Sequence, residues 1–159
     1  MRGLRRLLPL AVAVGLASGC GGGPGTPHDD PSAFAVKVVH LIVRNEYGQA
    51  WSNLHPEDQK VAPRDEYVSC EASSPVPSQP TSVTAVGVSD QPVALGNGSS
   101  VPSKAVHVRM AFPGANNVVV QTVHVVAAKG RWTWILPAWR FRYYAADRCP
   151  TSKPGTPSA

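Results

Sequence analysis

Two kinds of side chain in this 159-residue chain are suited to chemistry by type and spacing: thiols and imidazoles. The thiols are Cys20, Cys70 and Cys149, each able in principle to take an acyl group, join another cysteine or ligate a metal. Neither Cys70 nor Cys149 belongs to a CxxC pair or stands beside clustered histidines, so a zinc centre is not expected. His107 and His124 lie in Val-rich stretches and would approach each other across two strands. Two ligands with no carboxylate on the same face are too few to hold an ion, so no metal and no cofactor is expected. Asp58, Asp65, Glu66 and Glu71 read as helix starts and solvated faces. His55, placed before Pro56, reads as a helix stop, because proline disfavours helical geometry in the residue preceding it.

The position of Cys20 separates it from the other thiols. Met1-Arg2-Gly3-Leu4-Arg5-Arg6 carries three arginines and no acid, and an apolar run from Leu7 to Ala17 follows. That is the charge order of a secretory signal. The run is about 11 residues long and a bilayer-spanning helix needs about 20, so residues 1–19 are expected to be cleaved. The segment Leu16-Ala17-Ser18-Gly19-Cys20 resembles the lipobox of bacterial lipoproteins, with Ala17 standing where leucine is commonest. The resemblance implies diacylglycerol on Cys20, cleavage just before it, and a protein held by membrane lipid on the extracytoplasmic face of the cell membrane. Two or three acyl chains, at about 0.8 kcal/mol per buried methylene, make such attachment stable.

Loss of the signal leaves 12 basic and 10 acidic residues, a net of +2. The basic balance belongs largely to the discarded piece, and the remaining arginines are scattered, so no nucleic-acid partner is expected. Residues 20–30 read as a flexible tether of Gly, Pro, Thr, His and Asp, and residues 151–159 as a disordered Pro/Ser/Lys tail. Residues 31–150 are enough for one domain with a single core. Outside the cytoplasm Cys70 and Cys149 are expected to form a disulfide bond, with two buried thiols as the alternative.

The elements that must position these residues change period midway. Phe34 to Arg44 reads as a buried helix with Lys37, His40 and Arg44 on its solvated edge. Tyr47–Leu54, Pro56–Lys60 and Pro63–Glu71 read as shorter helices, and Ser73–Pro80 as a loop. Strands are expected over Ser82–Val88, Lys104–Phe112, Asn117–Ala128 and Arg131–Leu136. A two-residue Lys129-Gly130 turn pairs Ala128 with Arg131. That register puts Val119, Gln121, Val123, Val125 and Ala127 on the core face with Val106, Val108, Met110, Trp132, Trp134 and Leu136. It leaves His107, Arg109, Thr122, His124, Val126, Thr133 and Ile135 on the other face. The fold class is α+β, N-terminal helices packed on a curved antiparallel sheet.

The run Tyr47-Gly48-Gln49-Ala50-Trp51-Ser52-Asn53-Leu54-His55-Pro56, Tyr67-Val68-Ser69-Cys70, Lys129-Gly130-Arg131-Trp132-Thr133-Trp134-Ile135-Leu136 and Arg148-Cys149-Pro150 resemble a group of small exported proteins of the nuclear transport factor two-like superfamily. The resemblance covers about Phe34 to Pro150 and implies a cone of strands and helices; the superfamily holds both isomerase- or dehydratase-type enzymes and many non-enzymes. The lining of such a cone is expected from Tyr47, Trp51, Tyr67, Gln121, Trp132 and Trp134. Its enzymes place an acid or histidine in the pocket, whereas the core face expected here has no ionisable residue. The expectation is therefore a non-enzymatic binding or accessory module taking a small apolar ligand or a protein partner. The alternative is a small pocket enzyme.

Overall fold

The computed structural model describes residues 27, 29–114 and 117–150. The expected signal (1–19), Cys20, most of the tether and the tail (151–159) lie outside the described residues. No helix among the described residues is long and apolar enough to cross a membrane.

Helix α1 (Pro31–Val43) begins at Asp30, whose carboxylate accepts from the Ser32 and Ala33 amides at 3.0 and 3.3 Å, and Pro31 occupies the first turn. It ends on Asn45 in the left-handed region, φ 62°. The Asn45 amide bonds to the Ile42 carbonyl and the Glu46 amide to the Leu41 carbonyl, the two reverse bonds of a Schellman stop. Helices α2 (Tyr47–Ser52), α3 (Pro56–Val61) and α4 (Arg64–Ala72) follow closely. Helix α2 stops at Asn53, short of the expected Leu54, which instead bridges to Trp134, so His55 does not end a helix but starts one: its Nδ1 accepts the Glu57 amide at 3.2 Å ahead of Pro56.

Strands β1 (Ser82–Ala94), β2 (Ser100–Ala111), β3 (Val118–Ala128) and β4 (Arg131–Trp134) form an open antiparallel sheet in that order, and helix α5 (Ala138–Tyr144) closes the described chain. Lys129 and Gly130, φ 52° and 76°, make the tight turn that pairs Ala128 with Arg131. One core lies between α1 and the sheet. Ala35, Val38, Val39 and Val43 pack against Val106, Val108, Val123, Val125, Trp132 and Trp134.

Beyond helix α5, which the sequence reading did not include, and a β4 that ends at Trp134 instead of Leu136, three features of the sheet depart from the sequence reading. The β1–β2 hairpin is longer than expected and includes Pro92 and Pro102, which face each other. Both tolerate the strand because each sits where its strand has a single neighbour: β2 pairs with β3 only from Lys104 onward. The far end of this hairpin brings Leu95, with Val93 and Val101, onto Val126 and Ile135, burying two residues expected outside. Thr133 is also buried, its hydroxyl donating to the Val126 carbonyl at 3.0 Å. Conversely β3 outruns the helical layer, so Val119, Gln121 and Ala127 are exposed although they share the parity of buried Val123 and Val125.

Candidate functional site

Strand β4 pairs with β3 only over Val125–Ala128. The Ile135 amide still bonds to the His124 carbonyl at 3.0 Å, but the Leu136 amide turns away to Asp58 Oδ2 at 2.7 Å, and Pro137 opens α5. The chain therefore leaves β3 just where β3 continues. Between them lies a groove of about 720 Å³, floored by Val38 and Ile42 of α1 and walled by residues 119–123 on one side and Trp134, Pro137, Trp139 and Arg140 on the other. Its size falls within the roughly 300–1,000 Å³ of ligand pockets. Among its described lining residues the only charge is Arg140.

Arg140 is held from behind. Its Nη1 donates to Glu71 Oε2 at 2.8 Å, while the Tyr144 hydroxyl donates to Glu71 Oε1 at 2.7 Å. The guanidinium also lies 5.3 Å from the centre of the Trp139 ring. Glu71 is buried at the end of α4, beside the Cys70–Cys149 disulfide, whose Cα atoms are 5.1 Å apart. Burial and then the negative charge of Glu71 push the Tyr144 and Tyr67 hydroxyls well above their ordinary range. Burial followed by the same charge raises Tyr47. Closing a loop of this length stabilises by about 4 kcal/mol in the chain-entropy account, so bridge and ion pair together fix α5 against α4.

The structure separates the residues expected to line one pocket. Gln121 and Trp134 line the groove. Trp134 directs its indole N–H to the Ala50 carbonyl at 2.8 Å, Trp51 to the Ala62 carbonyl and Trp132 to the Asp29 carbonyl, each at 2.7 Å, so all three indoles lock elements together. Tyr47 and Tyr67 are core residues; Tyr47 donates to Asn45 at 2.6 Å, and the Tyr67 hydroxyl has no partner among the described residues.

His107 and His124 occupy the opposite face, engaged with Thr122 and Ser103 respectively at 3.0 Å. Burial, then the neighbouring His107, lowers the pKa of His124. Among the described residues no group of three or more His, Cys, Asp or Glu is placed to hold a metal ion.

Two acids read as solvated are buried: Glu71, and Asp58 on α3, 1 % exposed. Burial raises Asp58 to about 6, against the lowering effect of its bond from Leu136, and nearby Glu57 adds to the rise. The chain matches no family model, no curated protein and no solved structure.

Proposed function

We propose that this protein is an exported lipoprotein, anchored by lipid on Cys20, whose domain is a non-enzymatic binding module of the nuclear transport factor two-like type. Its groove between α1, β3 and α5 takes a small apolar molecule. The observation that carries the binding reading is the groove itself: about 720 Å³, lined by Val38, Ile42, Val119, Val123, Trp134 and Trp139, with its one lining charge already paired to Glu71. A pocket built for proton transfer needs a titratable group within reach of the substrate, and no described carboxylate or histidine lines this one. The disulfide suits an oxidising compartment, as export requires.

A second reading, in which a partner's extended segment docks here, is favoured by the open side of β3. No described strand pairs there with residues 118–123, and Val118, Val119 and Val120 are 39, 45 and 56 % exposed.

Native mass spectrometry of the protein drawn from its own membrane tests both halves. The wild type should carry acyl mass on Cys20 and a retained small molecule, Gln121→Trp should lose the second alone, and Cys20→Ala should leave the membrane fraction. An unmodified Cys20 would overturn the anchor. A retained polypeptide in place of a small molecule would favour the second reading, and retention unaffected by Gln121→Trp would remove the groove from the account.

A further inference from the structure

Asp58 belongs to a different cavity. Its Oδ2 accepts the Leu136 amide at 2.7 Å, but Oδ1, equally buried, has no hydrogen-bond partner among the described residues. An unmet buried acceptor costs roughly 1–3 kcal/mol, more for a charged one, so it marks either a structural defect or a place awaiting a donor. The surroundings favour the second. Asp58 lines a cavity of about 200 Å³ whose other walls include Leu95, Ile135, Leu136 and Phe141, with Arg142 contributing the opposite charge. One wall is the turn of the β1–β2 hairpin. A Cβ on Gly96 would fall 1.9 Å from the Phe141 ring, so glycine is what lets the turn close directly on α5.

We infer that this cavity is a binding site for a small amphipathic amine, with the ammonium on Asp58, the apolar body against Leu95, Ile135 and Phe141, and any carboxylate on Arg142. Size limits the ligand: about 200 Å³ lies below the pockets of drug-sized molecules, leaving room for a single short apolar chain with its polar head. Chemistry limits it further, since a carboxylate with a free oxygen in apolar surroundings accepts and cannot donate once ionised. A free aliphatic amino acid carries the ammonium, the apolar chain and the carboxylate that Asp58, the apolar wall and Arg142 would each receive. The groups acting on Asp58 are Leu136 through its amide and Glu57 on its own helix, while Arg142 of α5 lines the same cavity. The site shares Ile135 with the groove but no other described lining residue, and it does not depend on the groove.

The test uses ¹⁵N-labelled protein and three probes of similar apolar body: isoamylamine, L-leucine and isovalerate. At about pH 7 the Leu136 amide, which bonds to Asp58, should shift saturably with isoamylamine and more strongly with leucine, but not with isovalerate. Binding should weaken about tenfold by about pH 5, as Asp58 takes up a proton. Asp58→Asn keeps an acceptor for Leu136, so its spectrum should remain folded while the amine response is lost. If isovalerate acts like the amines, Asp58 is not the anchor. If no probe moves the amide at millimolar excess in the folded wild type, or Asp58→Asn binds as well, the proposal fails and Oδ1 is an unmet acceptor of the core with no ligand role.

Discussion

Glu71 and Asp58 are both buried carboxylates on short helices, and the protein treats them in opposite ways. Glu71 has a guanidinium on one oxygen and a tyrosine hydroxyl on the other, so its burial is met by charge-assisted bonds from α5. Asp58 has a single backbone amide on one oxygen and, among the described residues, nothing on the other, and its pKa rises to about 6. The first arrangement is a completed structural tie, reinforced by the adjacent disulfide. The second leaves binding capacity unused beside a cavity. Burial alone therefore does not distinguish a structural acid from one available to a ligand; the count of partners does.

The comparison breaks if Glu71 can be removed cheaply. Glu71→Ala strands the Arg140 guanidinium and the Tyr144 hydroxyl together. The expected loss is about 3 kcal/mol, at the lower end for a broken buried pair because the Arg140 side chain retains 23 % exposure. Urea unfolding measures it, and a loss below about 1 kcal/mol would show that the pair is not what holds α5.

Asp58 makes a demand on pH. Its folded pKa, about 6, lies above its ordinary 3.8, so protonation favours the folded state. That stabilisation is fully present below about pH 3.8 and is lost as pH rises through about 6, a swing on the order of 2–3 kcal/mol. The stability of wild type minus that of Asp58→Asn should therefore fall between about pH 4 and about pH 7. Taking the difference cancels the titration of other acids, and a flat difference would mean that Asp58 is not desolvated.

The sheet was legible because its signals are local. Lys129-Gly130 fixes the last hairpin, and alternation carries that register back to Val106 and Val108. The first hairpin was only half legible, since Pro92 and Pro102 argue against strands unless one knows that β2 has no second neighbour there. Asn97-Gly98 in its turn, with Gly98 at φ 83°, was the available signal. Helix α5 went unread as well, although Arg140 and Tyr144, four apart, both reach Glu71. The acids were misjudged for a plainer reason: their partners lie 69 to 78 residues away, and no local pattern at Asp58 or Glu71 announces them.

The smallest expected effects sharpen the comparison most, because they come from two tyrosines whose rings stand 5.9 Å apart in the same core. Tyr144 gives its hydroxyl to Glu71, and Tyr67 gives its hydroxyl to none of the described residues. Tyr144→Phe removes one of the two bonds that satisfy a buried carboxylate and should cost about 1.5–3 kcal/mol, the range for a hydrogen bond to a charged group. Tyr67→Phe removes a buried hydroxyl that has only its desolvation to show for its place. It should change stability by less than about 0.5 kcal/mol or raise it slightly, with the ring packing intact. Thermal or urea unfolding of the two single variants, side by side, gives the answer. Equal losses would mean that Tyr67 has a polar partner of its own and that counting partners does not separate the two groups. A near-zero loss at Tyr67 beside a clear loss at Tyr144 would show that the same count reads correctly for hydroxyls, and so lend weight to applying it to the unmet oxygen of Asp58.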